Sequence, residues 1–289
     1  MPNKRNFAFF MKRIIQLSLV SLFFILSSCA SKYSKILSSK DNEYKYKMAE
    51  KYYNDKKYNH SSELFQALFP YLKGSPRYEE AFNKFAYSAF YLKDYESASL
   101  AFRTFTENFP NSALVPEAFY MQGYCLFLNS PKVELDQSST QHAISVLQSF
   151  VNTYPKSTKA EEAKALILKC NKKLEEKEYL AAKLYYDLGD YRSAHLYFDL
   201  LLSDYPNSTS SDMYMFKTLQ SSYEYAKVSV PYMQEERYKQ AVEECGDFVA
   251  QYSNSKYVQS VQQIKKHSEE AINKIKNIIN EQTKKASKS

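Results

Sequence analysis

The chain has no tryptophan, four glycines and four histidines among 289 residues, and each scarcity removes a class of chemistry. Gly74, Gly123, Gly189 and Gly246 stand far apart, so no glycine-rich loop for a phosphate or a dinucleotide can be assembled from them. No G-x-S-x-G elbow and no H-E-x-x-H helix occurs. His60, His142, His195 and His267 are isolated from one another and from the cysteines, so no metal-ligand motif forms. Surface or packing roles are the plainer reading for all four. No catalytic residue, metal or cofactor is expected, and the chain reads as a non-enzyme. Few prolines and glycines, set among many Ala, Leu, Lys, Glu and Tyr, favour helix over sheet.

The one long apolar run is short for its kind. Lys12 and Arg13 precede a run from Ile14 to Leu26, broken by Gln16, Ser18 and Ser21. A bilayer span needs about 20 apolar residues, whereas this length suits the apolar core of an export signal. The run stops at Leu26-Ser27-Ser28-Cys29, which resembles a bacterial lipobox. That resemblance implies a signal peptide over 1–28, cleavage before Cys29 and acylation of Cys29. Met11-Lys12-Arg13 would open a complete signal alone, so translation is expected to start at either Met1 or Met11. Lys4, Arg5, Lys12 and Arg13 leave with the signal and no acid does, so the formal charge of +7 falls by four to +3. That surplus gives no reason to expect nucleic acid. Cys125, Cys170 and Cys245 remain, an odd and widely spaced set that makes no disulfide framework. They read as small buried hydrophobes, though one pair could oxidise in an exported protein.

A repeat organises the rest. The phrases Phe109-Pro110-Asn111-Ser112, Tyr154-Pro155-Lys156-Ser157, Tyr205-Pro206-Asn207-Ser208 and Tyr252-Ser253-Asn254-Ser255 are alike, and Leu72-Lys73-Gly74-Ser75 is a weaker fifth. Fourteen residues before each stands Tyr58, Tyr95, Thr140, Tyr191 or Tyr238. Three further on come Ser61, Ala98, Ala143, Ala194 and Ala241. Then follow Phe65, Phe102, Leu147, Phe198 and Cys245, and after them Leu68, Phe105, Phe150, Leu201 and Phe248. Offsets of three and four put these residues on one helical face, and the phrase ends that helix and opens the next. The upstream helices carry a small residue at Ala49, Ala86, Gly123 and Ala182, which permits close crossing. Recurrence at 37 to 51 residues reads as a solenoid of helix pairs. Residues 129–140 form a polar insertion in the third pair. The stripe Val258, Val261, Ile264, Ala271, Ile272, Ile275 and Ile279 could lie on a membrane surface. Its mixed charges and missing aromatics favour a capping helix instead.

Ala98-x3-Phe102 with Pro110, and Ala194-x3-Phe198 with Pro206, resemble the second helix of a tetratricopeptide repeat. The expected fold is all-α, a right-handed α-solenoid of about five such pairs with a C-terminal cap. Its divisions are a lipidated linker over 29–41, repeats over 42–255, a cap over 256–281 and a disordered tail over 282–289. A lipobox followed by this array resembles the BamD family of outer-membrane-assembly lipoproteins. The resemblance implies a scaffold held by its lipid on the periplasmic face of the outer membrane. It also implies binding to the periplasmic domains of a BamA-type barrel protein and to unfolded outer-membrane proteins. No acid stands between Cys29 and Asp41, which by the same resemblance argues against inner-membrane retention and surface export. Four residues after the small residues stand Tyr53, Phe90, Phe127 and Tyr186, with Tyr46 and Tyr87 flanking. Tyr46, Tyr53, Tyr87, Phe90 and Phe127 are the candidate contacts for a substrate peptide; filling of inter-repeat core is the competing reading. A SusD-like nutrient binder and a Tol-associated repeat protein are the alternatives. The first kind is much longer and uses tryptophan, and the second carries a coiled coil and no lipobox.

Overall fold

The computed structural model describes residues 32–286. The expected signal, either start and Cys29 lie outside the described residues, as do 287–289. Among the described residues the ordered elements are helical, and no strand occurs. The helices are α1 (Asn42–Asn54), α2 (Tyr58–Leu72), α3 (Arg77–Tyr91), α4 (Tyr95–Asn108), α5 (Val115–Asn129) and α6 (Ser138–Thr153). They continue with α7 (Ala160–Asp187), α8 (Tyr191–Asp204), α9 (Ser211–Val228), α10 (Pro231–Gln251) and α11 (Val258–Ala286). The chain forms two compact units, one through Pro131 plus Gln137–Cys170, the other Lys132–Asp136 plus the residues from Asn171 onward. In the first, α1 to α6 each pack on the next in chain order, and in the second α8 to α11 do the same. Helix α7 gives its first part to one unit and the remainder to the other.

The periodic positions form the core. Ser61, Ala98, Ala143, Ala194 and Ala241 are fully buried, and so are the larger residues four and seven positions later in each second helix. Ala49, Ala86 and Ala182 are fully buried as well. A Cβ on Gly123 would stand 2.7 Å from the Leu147 side chain. Helices α5 and α6 therefore approach too closely for any other residue without repacking. The third pair departs at Thr140, where the others have Tyr. The Thr140 hydroxyl donates to Gln137 Oε1 at 2.6 Å and meets the Ser130 hydroxyl at 2.5 Å. A short hydroxyl thus pins the inserted loop, and a ring would fill its space.

The serine closing each of the four stronger phrases holds the turn through its hydroxyl. The hydroxyls of Ser112, Ser157, Ser208 and Ser255 accept from the backbone N–H two residues on, at 3.0 to 3.2 Å. This satisfies a donor at the start of the following helix. Three of them also donate to an acid on the preceding first helix: Ser112 to Glu79, Ser208 to Glu175 and Ser255 to Asp212. The turn between pairs is thereby tied back to the pair it leaves. Within pairs one, two and four, the turn uses a left-handed residue at Lys56 (φ 58°), Lys93 (φ 62°) and Gly189 (φ 79°). Each stands two residues before the Tyr that opens the second helix.

Two sequence expectations are corrected. The segment expected as a linker is docked: residues 32–37 are helical, Ile36 is 2% exposed, and Tyr33 stacks on His60 at 3.9 Å. Its apolar Tyr33, Ile36 and Leu37 cover the end of the first pair. Helix α11 runs to Ala286 rather than stopping at 281, because 282–286 hold good helix formers and place Lys284 and Lys285 in the last turn, where they oppose the helix dipole. Helix α7 has 28 residues against 13 in α1, since nothing between Ala160 and Asp187 breaks it.

Candidate functional site

Four of the five peptide-contact candidates lie in one aromatic seam of the first unit. Tyr53, Tyr87, Phe90 and Phe127 are half-buried. Tyr46 is not among them: it is 6% exposed, packs edge-on against Phe65 at 6.0 Å and lies beneath the Arg77 guanidinium. It sits in the core because its offset from Ala49 turns it under the first pair, which corrects its placement in the ladder. The rings that join the others are Tyr91 and Tyr124, which the sequence spacing did not single out. Tyr91 is 47% exposed, stacks on Tyr58 at 4.7 Å and on Tyr87 at 6.0 Å, and lies 6.4 Å from Tyr53. Tyr124 links Phe90 at 6.0 Å to Phe127 at 6.4 Å. Both stand one turn from a ladder position, a signal visible only once the helix bounds are known.

The geometry repeats for a physical reason. Tyr53 meets Tyr58 at 5.7 Å, Phe90 meets Tyr95 at 6.0 Å and Tyr186 meets Tyr191 at 5.3 Å, all edge-on or tilted. Each pair spans the turn inside one repeat, five residues apart. In the seam, one edge of Tyr53 and of Phe90 holds its turn, and both residues stay half-buried. Burial, with the neighbouring Tyr91 and Tyr58, raises the Tyr53 hydroxyl above its ordinary value. Burial and the Glu117 carboxylate, which accepts from it at 2.5 Å, do the same for Tyr87. These phenols stay protonated and act as donors and apolar surface. Lys84, bonded to Glu50 at 2.8 Å and Glu80 at 2.7 Å, and Arg77 on Glu43 at 2.8 Å tie α1 to α3 beside the seam.

The second unit carries a different surface. Leu180 and Leu184 on α7, Leu188 in the turn just after it, and Leu196 and Leu200 on α8 are all exposed. The offsets of four put each set on one helical face. Tyr185 and Tyr197 stack at 4.7 Å between the two helices. Deeper in this unit His195 on α8 meets Glu244 on α10 at 3.0 Å. Burial pushes the Cys125 and Cys245 thiols up to about 12, which leaves these two unreactive. Among the described residues no group of histidines, cysteines and acids could hold a metal ion. No described helix is long and apolar enough to cross a membrane.

Residues 38–187, a little over half of the chain, match the profile of a family described as outer membrane lipoprotein. The chain belongs to this BamD-type family. Residues 178–208 match a tetratricopeptide repeat profile, in agreement with α7 and α8 as one pair. No curated protein matches the sequence. Among solved structures the chain is similar to the TPR2AB domain:pHSP90 complex of yeast Sti1, at 12% identity and a TM-score of 0.35, over 79% of this chain and 98% of that one. Membership of an outer-membrane lipoprotein family of repeat type accords with outer-membrane residence and with protein–protein interaction.

Proposed function

We propose that this protein is a scaffold of the β-barrel assembly machinery, lipidated at Cys29 and facing the periplasm. It receives unfolded barrel proteins and binds the periplasmic domains of a BamA-type partner. The aromatic seam carries the reading. Tyr53, Tyr91, Phe90, Tyr124 and Phe127 offer a continuous row of half-open rings within the family-matched segment. An extended peptide with an aromatic end would lay its side chains against such a row, each ring contact adding about 0.5–1.5 kcal/mol beyond burial. The leucines of α7 and α8 are the counterpart suited to a folded domain, and the scarcity of catalytic groups accords with a binding role.

Phe90→Ala and Tyr91→Ala test the seam in the mature chain. Titration with a peptide ending in phenylalanine should show affinity weakened about tenfold or more in each. Tyr91, nearly half exposed, should lose affinity with little loss of melting temperature. A peptide bound equally well by both variants would remove the seam from the function. Pull-down of the envelope-extracted protein with Leu184→Lys and Leu188→Lys should lose the BamA-type partner while keeping peptide affinity.

A further inference from the structure

The last helix does more than cap. Its first part packs on α9 and α10 through Val261, Ile264, Ile272 and Ile275. Lys276 still lies beside Glu235, near the start of α10. From 276 to 285 the residues are exposed. The helix thus continues about 15 Å past its packing partners at 1.5 Å per residue.

That overhang has a pattern. Ile275, Ile278 and Ile279 share one face, and Ile278 and Ile279 are 46% and 49% exposed. At 3.6 residues per turn, Lys274 and Lys285 border this face on one side and Lys276 on the other. Between Lys274 and Ala286 there are four lysines and a single acid, Glu281. The remaining positions are mostly Asn, Gln and Thr. A narrow apolar ridge between lysines is the arrangement of a helix lying in a lipid interface. The ridge enters the acyl boundary, and the lysine stems run along it to reach headgroups. The excess of positive charge selects an anionic surface. The segment has no arginine or aromatic residue, which disfavours nucleic acid, where stacking and bidentate contacts are wanted.

We propose that residues 274–286 dock on the surface of an anionic bilayer. This contact is separate from any acyl anchor at Cys29, and it does not depend on the peptide-binding reading. The test uses the chain from residue 30, which holds every described residue and, lacking Cys29, carries no acyl group. That chain should co-sediment with vesicles rich in phosphatidylglycerol and not with pure phosphatidylcholine, and salt should weaken it. Ile278→Asp with Ile279→Asp should weaken binding more than tenfold. Lys274→Glu with Lys285→Glu should weaken it about fivefold per lysine and flatten the salt dependence. All these positions are exposed, so melting temperature should hold. Deletion of 277–289 serves as the second variant and should behave as the isoleucine pair does. If the parent chain fails to sediment with the anionic vesicles at low salt, the proposal is overturned and the overhang is left to a protein partner. If the variants sediment as the parent does, lipid contact lies elsewhere and the proposal also fails.

Discussion

At the scale of single residues, small polar side chains do much of the positioning. The repeated serine bonds forward to a backbone N–H and backward to a carboxylate, which explains why a hydroxyl and not merely a turn former stands there. His195 and Glu244 are a second case. The hydrogen bond that His195 donates to Glu244 holds the imidazole above its ordinary range, against a smaller opposing effect of burial. For Glu244, burial pushes upward, but the bonds from His195, Ser222 and Gln240 outweigh it and leave the carboxyl below its ordinary range. The raised histidine contributes stability that is full below its unfolded value of about 6.5 and is lost as pH rises through the higher folded value. The lowered carboxyl contributes stability present above its unfolded value and lost as pH falls. The pair therefore stabilises the second unit most at mildly acid pH. His195→Ala should cost about 1–3 kcal/mol near pH 6, and the deficit should shrink by pH 9, read by denaturant unfolding at the two values.

At the scale of elements, the turns inside pairs obey one backbone rule. Lys93 and Gly189 occupy the same left-handed place, and nothing crowds a Cβ at Gly189. The difference between them is backbone preference alone. Lys93→Gly should raise stability by up to about 1 kcal/mol, and Gly189→Ala should lower it by about 1 kcal/mol; opposite shifts in urea midpoint would check both. The second helices were legible in the sequence because each carries apolar residues at offsets of three and four and ends on a fixed phrase. All fifteen of those positions are buried. The docked segment around Ile36 was not legible, since one buried isoleucine among serines and lysines has no period. The length of α7 was hidden too: Ala163, Leu166 and Cys170 pack in one unit and Ala182 in the other, so its apolar face changes partner midway. In the candidate site, spacing found Tyr53, Phe90 and Phe127 but not Tyr91 and Tyr124. A ring's exposure depends on the neighbouring helix, and spacing along one helix does not carry that.

At the scale of the molecule, each unit is a run of helices packed on their neighbours, so damage should spread along the run before it stops. Ala98 is fully buried in the cluster that joins Phe82, Phe102, Phe105, Tyr120, Leu147 and Phe150. A carboxylate there would have neither water nor a partner, and its bulk would push α3 from α4. Ala98→Glu should cost more than about 3 kcal/mol. Because repeat stability is a sum of intrinsic and neighbour terms, the loss should pass from α3 and α4 to α2 and α5, whose faces depend on theirs. Residues 171–286 bury a separate set of clusters around Phe198, Phe248 and Tyr238. Hydrogen exchange on the variant should therefore show protection falling across residues 42–170 and largely kept from α8 to α11. Equal loss across both stretches would mean that the two cores unfold as one.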